Sequence, residues 1–91
     1  MSETLALAEV LDLNAAEPLK AELLALRGHE LTLDASAVER LGGLCLQILM
    51  SARKTWDADG VNLRLGSVSQ AWVEQWAAFG APDFNTEGLT A

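Results

Sequence analysis

Residues 31–56, LTLDASAVERLGGLCLQILMSARKTW, decide how this chain folds. Leu31, Thr32 and Leu33 are an apolar run with β preference, and the run stops at Asp34. After a short connector, Leu44, Cys45, Ile48, Leu49, Ala52 and Trp56 recur at helical spacing. The segment reads as strand, loop and helix. Gly42 and Gly43 stand at the helix entrance, where the first backbone N–H groups have no partner within the helix.

The flanks extend the alternation. On the N-terminal side, Thr4–Leu7 and Val10-Leu11 are short apolar pieces around Ala8-Glu9, which suits two small strands or a hairpin at a sheet edge. Asn14 reads as a helix N-cap, with Glu17 three residues on as its capping-box partner and Pro18 in the first turn. Leu19, Leu23 and Leu26 form the apolar stripe of that helix, and Gly28 is placed to stop it. On the C-terminal side, Asp57–Gly60 is a turn signal and Val61–Leu65 alternates with period two. Ser67 and Gln70 can box a third helix, in which Val68, Trp72, Trp76 and Phe79 share a face. Gly80 and Pro82 end it. Residues 83–91 show no period and read as a flexible tail, with Phe84 able to tuck back onto the domain. These elements make one domain over residues 1–82, of α/β class, with strands alternating with helices.

Composition narrows the function. With 91 residues, 51% of them hydrophobic and 21% charged, the chain is a compact globular domain and not a disordered one. A net charge of −7 disfavours nucleic acid and anionic membrane surfaces, since both call for a basic footprint. One cysteine, Cys45, forms no internal disulfide and leaves a zinc cluster without ligands. No apolar run reaches membrane-span length, and no basic stretch precedes an apolar core at the N-terminus. The expectation is a cytoplasmic, soluble protein.

Candidate chemistry is sparse. Cys45 lies at a helix start, which favours thiolate, but the single histidine, His29, belongs to the opposite end of the Leu31–Leu33 strand. Cys45 then reads as a packed small hydrophobe. Asp34 and Glu39 read as a cap and a solvated side chain rather than an acid–base pair. The glycine pair lacks the Lys-Ser/Thr of a phosphate-binding P-loop and the three spaced glycines of a dinucleotide fingerprint. Trp56 and one tryptophan of the third helix are expected to stay partly exposed as a hydrophobic docking patch. No enzyme assembles from these residues, and no cofactor or metal is implied.

The loop and its surroundings resemble the STAS domain family, the sulfate-transporter and anti-sigma-factor-antagonist modules, over nearly the whole chain through residue 80. Asp34 and Ser36 match the acidic and small polar residues that close the third strand in that family, and Val38 matches the apolar residue beneath the loop. Arg40 stands where the family usually has aspartate, Leu41 where it has a first serine or threonine, and Gly42 where it has the residue that a partner kinase phosphorylates. Gly43 matches the family glycine. Leu44, Leu46 and Leu49 carry the pattern into the helix.

The resemblance implies a small mixed β-sheet with helices packed mainly on one side. It also implies a non-enzymatic protein-interaction module that docks partners through Asp34, Ser36, Arg40, Leu41, Gly42 and Gly43, Leu41 facing either the partner or the core. Gly42 has no oxygen to take a phosphoryl group, so the usual switch is missing, and Ser36 reads as a turn-stabilising hydroxyl. The form LGGLCLQIL looks most similar to stand-alone STAS proteins of bacterial chemotaxis systems, with an anti-sigma-factor-antagonist role next. The implied partner is a kinase, an anti-sigma factor or a chemotaxis component. The alternative is a small STAS subunit of a lipid-transport ATPase complex.

Overall fold

A computed structural model describes residues 3–81 and Phe84. Its elements are β1 (Glu3–Ala6), β2 (Val10–Leu11), α1 (Leu13–Ala25), β3 (Leu31–Ala35), β4 (Arg40–Leu41), α2 (Gly43–Asp59), β5 (Leu63–Val68) and α3 (Gln70–Ala78). The main sheet has the order β1-β3-β5, and a second, two-stranded ladder joins β2 to β4. The α/β class is as expected. Every pairing among the described residues is parallel, however, where a mixed sheet was anticipated.

The order explains the layering. Each crossover steps one strand in the same direction, so right-handed connections place α1 and α2 on the same face. Register then sorts the side chains. Leu5, Leu33 and Leu65 lie in one row facing the core, while Thr4, Thr32 and Arg64 lie in the neighbouring row on the other face. Leu31, Leu33, Ala35 and Leu63 are buried, and they join Leu19, Leu23, Leu49, Trp56, Trp72 and Trp76 in a single cluster.

Several boundaries differ from the sequence reading. The segments at Thr4–Ala6 and Val10-Leu11 are not a hairpin: β1 pairs with β3 and β2 with β4. A tight hairpin turn needs residues at positive φ, and no non-glycine residue here has one. Helix α1 is capped by Asp12, not Asn14; the Asp12 carboxylate accepts from the backbone N–H of Asn14 (3.0 Å) and Ala15 (3.2 Å). The β2–β4 ladder ends at Leu11, so the chain must turn there. Pro18 consequently falls in the second turn, where it removes the helix bond to the Asn14 carbonyl.

Likewise α3 is capped by Ser69, not Ser67, because β5 runs on to Val68. It does so through a bulge: Leu33 pairs with Leu65 but Ala35 with Val68, so one extra residue is accommodated on β5 around Gly66. Val68 therefore lies outside the helix, and the buried stripe of α3 is Trp72 and Trp76, stacked at 5.1 Å. The boundary placed at residues 82 and 83 falls outside the described residues. Phe84 is described, and its ring is buried against Trp76, with centroids 5.9 Å apart.

Candidate functional site: the α2 entrance

The carboxyl ends of β1 and β3 lead, through β2 and β4, into the N-termini of α1 and α2. The β2–β4 ladder thus ties together the two loops at one end of the sheet. Glu39 and Arg40 both donate their N–H to the Glu9 carbonyl, at 2.7 and 3.1 Å, and Gly42 donates to the Leu11 carbonyl at 2.8 Å.

From the other side α3 holds the same loop. The Gln75 amide accepts from the Leu41 N–H (2.6 Å) and donates to the Glu39 carbonyl (2.9 Å), so one side chain bonds the loop as a neighbouring strand would. Ser69 accepts from the Trp72 N–H and donates its hydroxyl to the Val38 carbonyl (2.5 Å), capping α3 and anchoring the loop at once. Nothing in a one-dimensional pattern distinguishes Gln75 from any other polar residue on an exposed helix face. Its role follows from the packing of α3 against β4.

The six loop residues singled out by sequence fall into distinct places. Asp34 is half-buried and accepts from the Ser36 N–H at 3.0 Å, closing the turn after β3. That bond holds the Asp34 carboxyl below the usual carboxylate range. Ser36, Arg40 and Gly43 are exposed, Gly42 is half-buried, and Leu41 points into the core at 3% exposure. Val38 is buried beneath the loop.

Gly42 caps α2 with no side-chain hydrogen bond to the helix. Its φ is −91°, so left-handed backbone is not the reason for glycine here. A Cβ at Gly42 would stand 3.1 Å from the Leu11 carbonyl oxygen, so a close backbone approach is the reason. At Gly43 a Cβ would meet only the Phe79 ring, at 3.7 Å.

Around this entrance the surface is apolar. Val10 pairs with Arg40, Leu13 follows the Asp12 cap beside Gly42, Leu44 follows Gly43, and Phe79 lies against Gly43. These four are 42%, 75%, 44% and 49% exposed, far more than a core residue tolerates. Sequence periodicity placed Leu44 and Phe79 on the apolar stripes of their helices and passed over Leu13. The tryptophans go the other way: Trp56, Trp72 and Trp76 are all buried, and Trp56 donates its indole N–H to the His29 carbonyl at 2.8 Å. The exposed apolar surface expected on tryptophan is instead made of leucine, valine and phenylalanine.

Chemistry elsewhere stays unassembled. The Cys45 thiol is fully buried, bonds the Asp12 carbonyl at 3.4 Å, and is pushed up in pKa by burial and then by the Asp12 charge. His29 sits beside Trp56, eleven helical residues or about 16 Å from Cys45 along α2. Among the described residues no three His, Cys, Asp or Glu side chains gather as a metal site, and no helix is long and apolar enough to cross a membrane.

A family model described as "Mlab, STAS domain" matches residues 2–83. The chain belongs to the STAS domain family. No curated protein matches it. STAS domains are in general binding modules that work through protein–protein contact and not enzymes. In this STAS domain the loop before α2 is pinned on both sides, by Glu9 just before β2 and Leu11 at its end, and by the α3 cap Ser69 and Gln75 of α3.

Proposed function

We propose that this STAS domain is a non-enzymatic interaction module that docks a protein partner over the α2 entrance, through Arg40, Gly42 and Gly43 with Asp34 and Ser36 at the edge. The observation that carries this reading is the ring of Val10, Leu13, Leu44 and Phe79, exposed around one cation, Arg40, at the end of the sheet where three helices begin. Leu41 contributes from beneath, through its backbone and its place in the core. Docking is constitutive at this loop, since Gly42 offers no hydroxyl for a phosphate that would repel a partner. The signalling context is chemotaxis-associated or anti-sigma-factor-antagonist-like, in the cytoplasm, with a kinase, an anti-sigma factor or a chemotaxis component as partner.

A second reading, a subunit of a lipid-transport ATPase complex, draws on the same surface. Permanent subunit contacts are more apolar than transient ones, and this patch is apolar on four sides. One experiment separates the readings. Tagged wild-type protein and the Phe79→Asp and Arg40→Glu variants serve as baits in lysate of the source organism. Both substituted residues are exposed, so folding is retained. A kinase, receptor or anti-sigma factor captured by wild type and depleted at least about tenfold on the variants supports the signalling module. An ATPase or permease subunit depleted in the same way selects the transport complex. A partner captured equally by all three baits overturns docking at the α2 entrance.

A further inference from the structure

A second surface runs along α2 and meets the entrance patch at Leu44. Between α1 and α2 lies an open groove of about 360 Å³, floored by Leu23, Ala52 and Trp56. Its α1 wall carries Lys20, Leu24 and Arg27, spaced i, i+4 and i+7, so all three follow one stripe. Its α2 wall carries Gln47, Ser51 and Thr55 at intervals of four, with Leu44 and Ile48 beside them.

Two features mark this groove. Leu24 is 60% exposed in the last turn of α1, directly after the buried Leu23. The charge is also inverted. Acidic residues outnumber basic ones 13 to 6 in the chain, yet the groove lining holds two cations and no carboxylate. Arg27 is held by Asp59 at 2.9 Å from outside the lining, whereas Lys20 has no ionic partner among the described residues.

We infer that this groove binds an acidic amphipathic helix of a partner protein, with the helix's apolar stripe against Leu24 and Ile48 above the buried Leu23 and Trp56 and its carboxylates at Lys20 and Arg27. Charge complementarity selects the occupant: Lys20, without an ionic partner, and Arg27, shared with Asp59, favour a negatively charged segment at this groove of an otherwise acidic protein. Dimensions agree. From Leu44 to Thr55 the α2 wall is about 16 Å long, the length of about three helical turns. Apolar positions at i, i+3, i+4 and i+7 then fill the floor, while Gln47, Ser51 and Thr55 meet the polar flank. The groove's open side suits a helix laid into it better than a small ligand, which needs enclosure.

The claim rests on the interaction reading and extends it to a second face, so its test is independent of the α2 entrance. A display library of peptides about 16 residues long, with leucine fixed on one helical stripe and other positions free, is selected on the intact wild-type protein and counter-selected on Leu24→Asp. The enriched peptides are expected to carry Asp and Glu beside the leucine stripe. By fluorescence anisotropy they should bind Lys20→Glu at least about tenfold more weakly than wild type, and Phe79→Asp as well as wild type. Enriched peptides without acidic bias, or indifferent to Lys20→Glu, overturn the proposal. So does a library that yields no peptide sensitive to Leu24→Asp. Sedimentation showing a wild-type dimer that Leu24→Asp dissociates assigns the groove to a second copy of the chain and overturns it too. Failure of the α2-entrance reading looks different, because it appears as undiminished partner capture by Phe79→Asp.

Discussion

At Gly42 the nearest obstacle to a side chain is the Leu11 carbonyl oxygen, 3.1 Å from where a Cβ would sit. The same carbonyl accepts the Gly42 N–H at 2.8 Å, so the neighbour that crowds the position is also bonded to it and has little freedom to retreat. Gly43, one residue on, has only ordinary contact with Phe79 in the same direction. The pair should therefore respond oppositely to alanine. Gly42→Ala is expected to destabilise the domain by about 1 kcal/mol, and Gly43→Ala to be neutral or stabilising by up to about 0.5 kcal/mol through reduced freedom of the unfolded chain. Urea unfolding midpoints measure both; equal shifts would refute the close-approach explanation. The pair was legible in the sequence as special. Its reason was not, because Leu11 reaches Gly42 only after β2 and β4, separated by residues 12–39, have paired.

At the scale of elements, β4 is a two-residue strand, too short to persist by itself. It has β2 on one side and the Gln75 amide on the other. Removing that amide leaves the Leu41 N–H and the Glu39 carbonyl without their protein partners. Gln75→Ala should cost about 1–2 kcal/mol, and the Leu41 amide should lose hydrogen-exchange protection more than the sheet does. Unchanged protection at Leu41 would show that β2 alone holds the strand. Element type was readable from periodicity for all three helices and for β3, because burial of one face enforces the pattern. Element ends were not. Asp12 and Asn14, like Ser69 and Ser67, are equally good caps in isolation, and the choice fell to where β2 and the bulged β5 stop.

Across the whole molecule, the C-terminal side of the core is closed by a cation and a ring. Arg53 is 6% exposed, lies 5.1 Å from the Phe84 centroid, and donates from Nη1 to the Phe84 carbonyl at 3.0 Å. Its Nη2 reaches Asp57 at 3.4 Å. Burial of a guanidinium is costly unless such partners compensate it, so Phe84 shields Arg53 as much as it fills space. Phe84→Ala is expected to lower stability by about 3–5 kcal/mol, measured by thermal or urea unfolding, as for other large core aromatics. A loss below about 1 kcal/mol would place Phe84 outside the cooperative core. Arg53 itself was invisible in the sequence, where an arginine on a helix reads as solvated.

What the sequence determined by itself is what local chemistry enforces. The alternation of strands and helices, the α/β class, the glycine-marked loop and the absence of a hydroxyl at Gly42 all follow from periodicity, turn residues and side-chain identity. Tertiary structure alone decided which polar groups meet and which apolar residues are left uncovered. Gln75 at the loop, Arg53 under Phe84, and the exposed ring of Val10, Leu13, Leu44 and Phe79 all depend on contacts between elements distant in the chain. Such contacts leave no period in the sequence, since each rests on a single side chain placed by the packing of whole helices against a sheet.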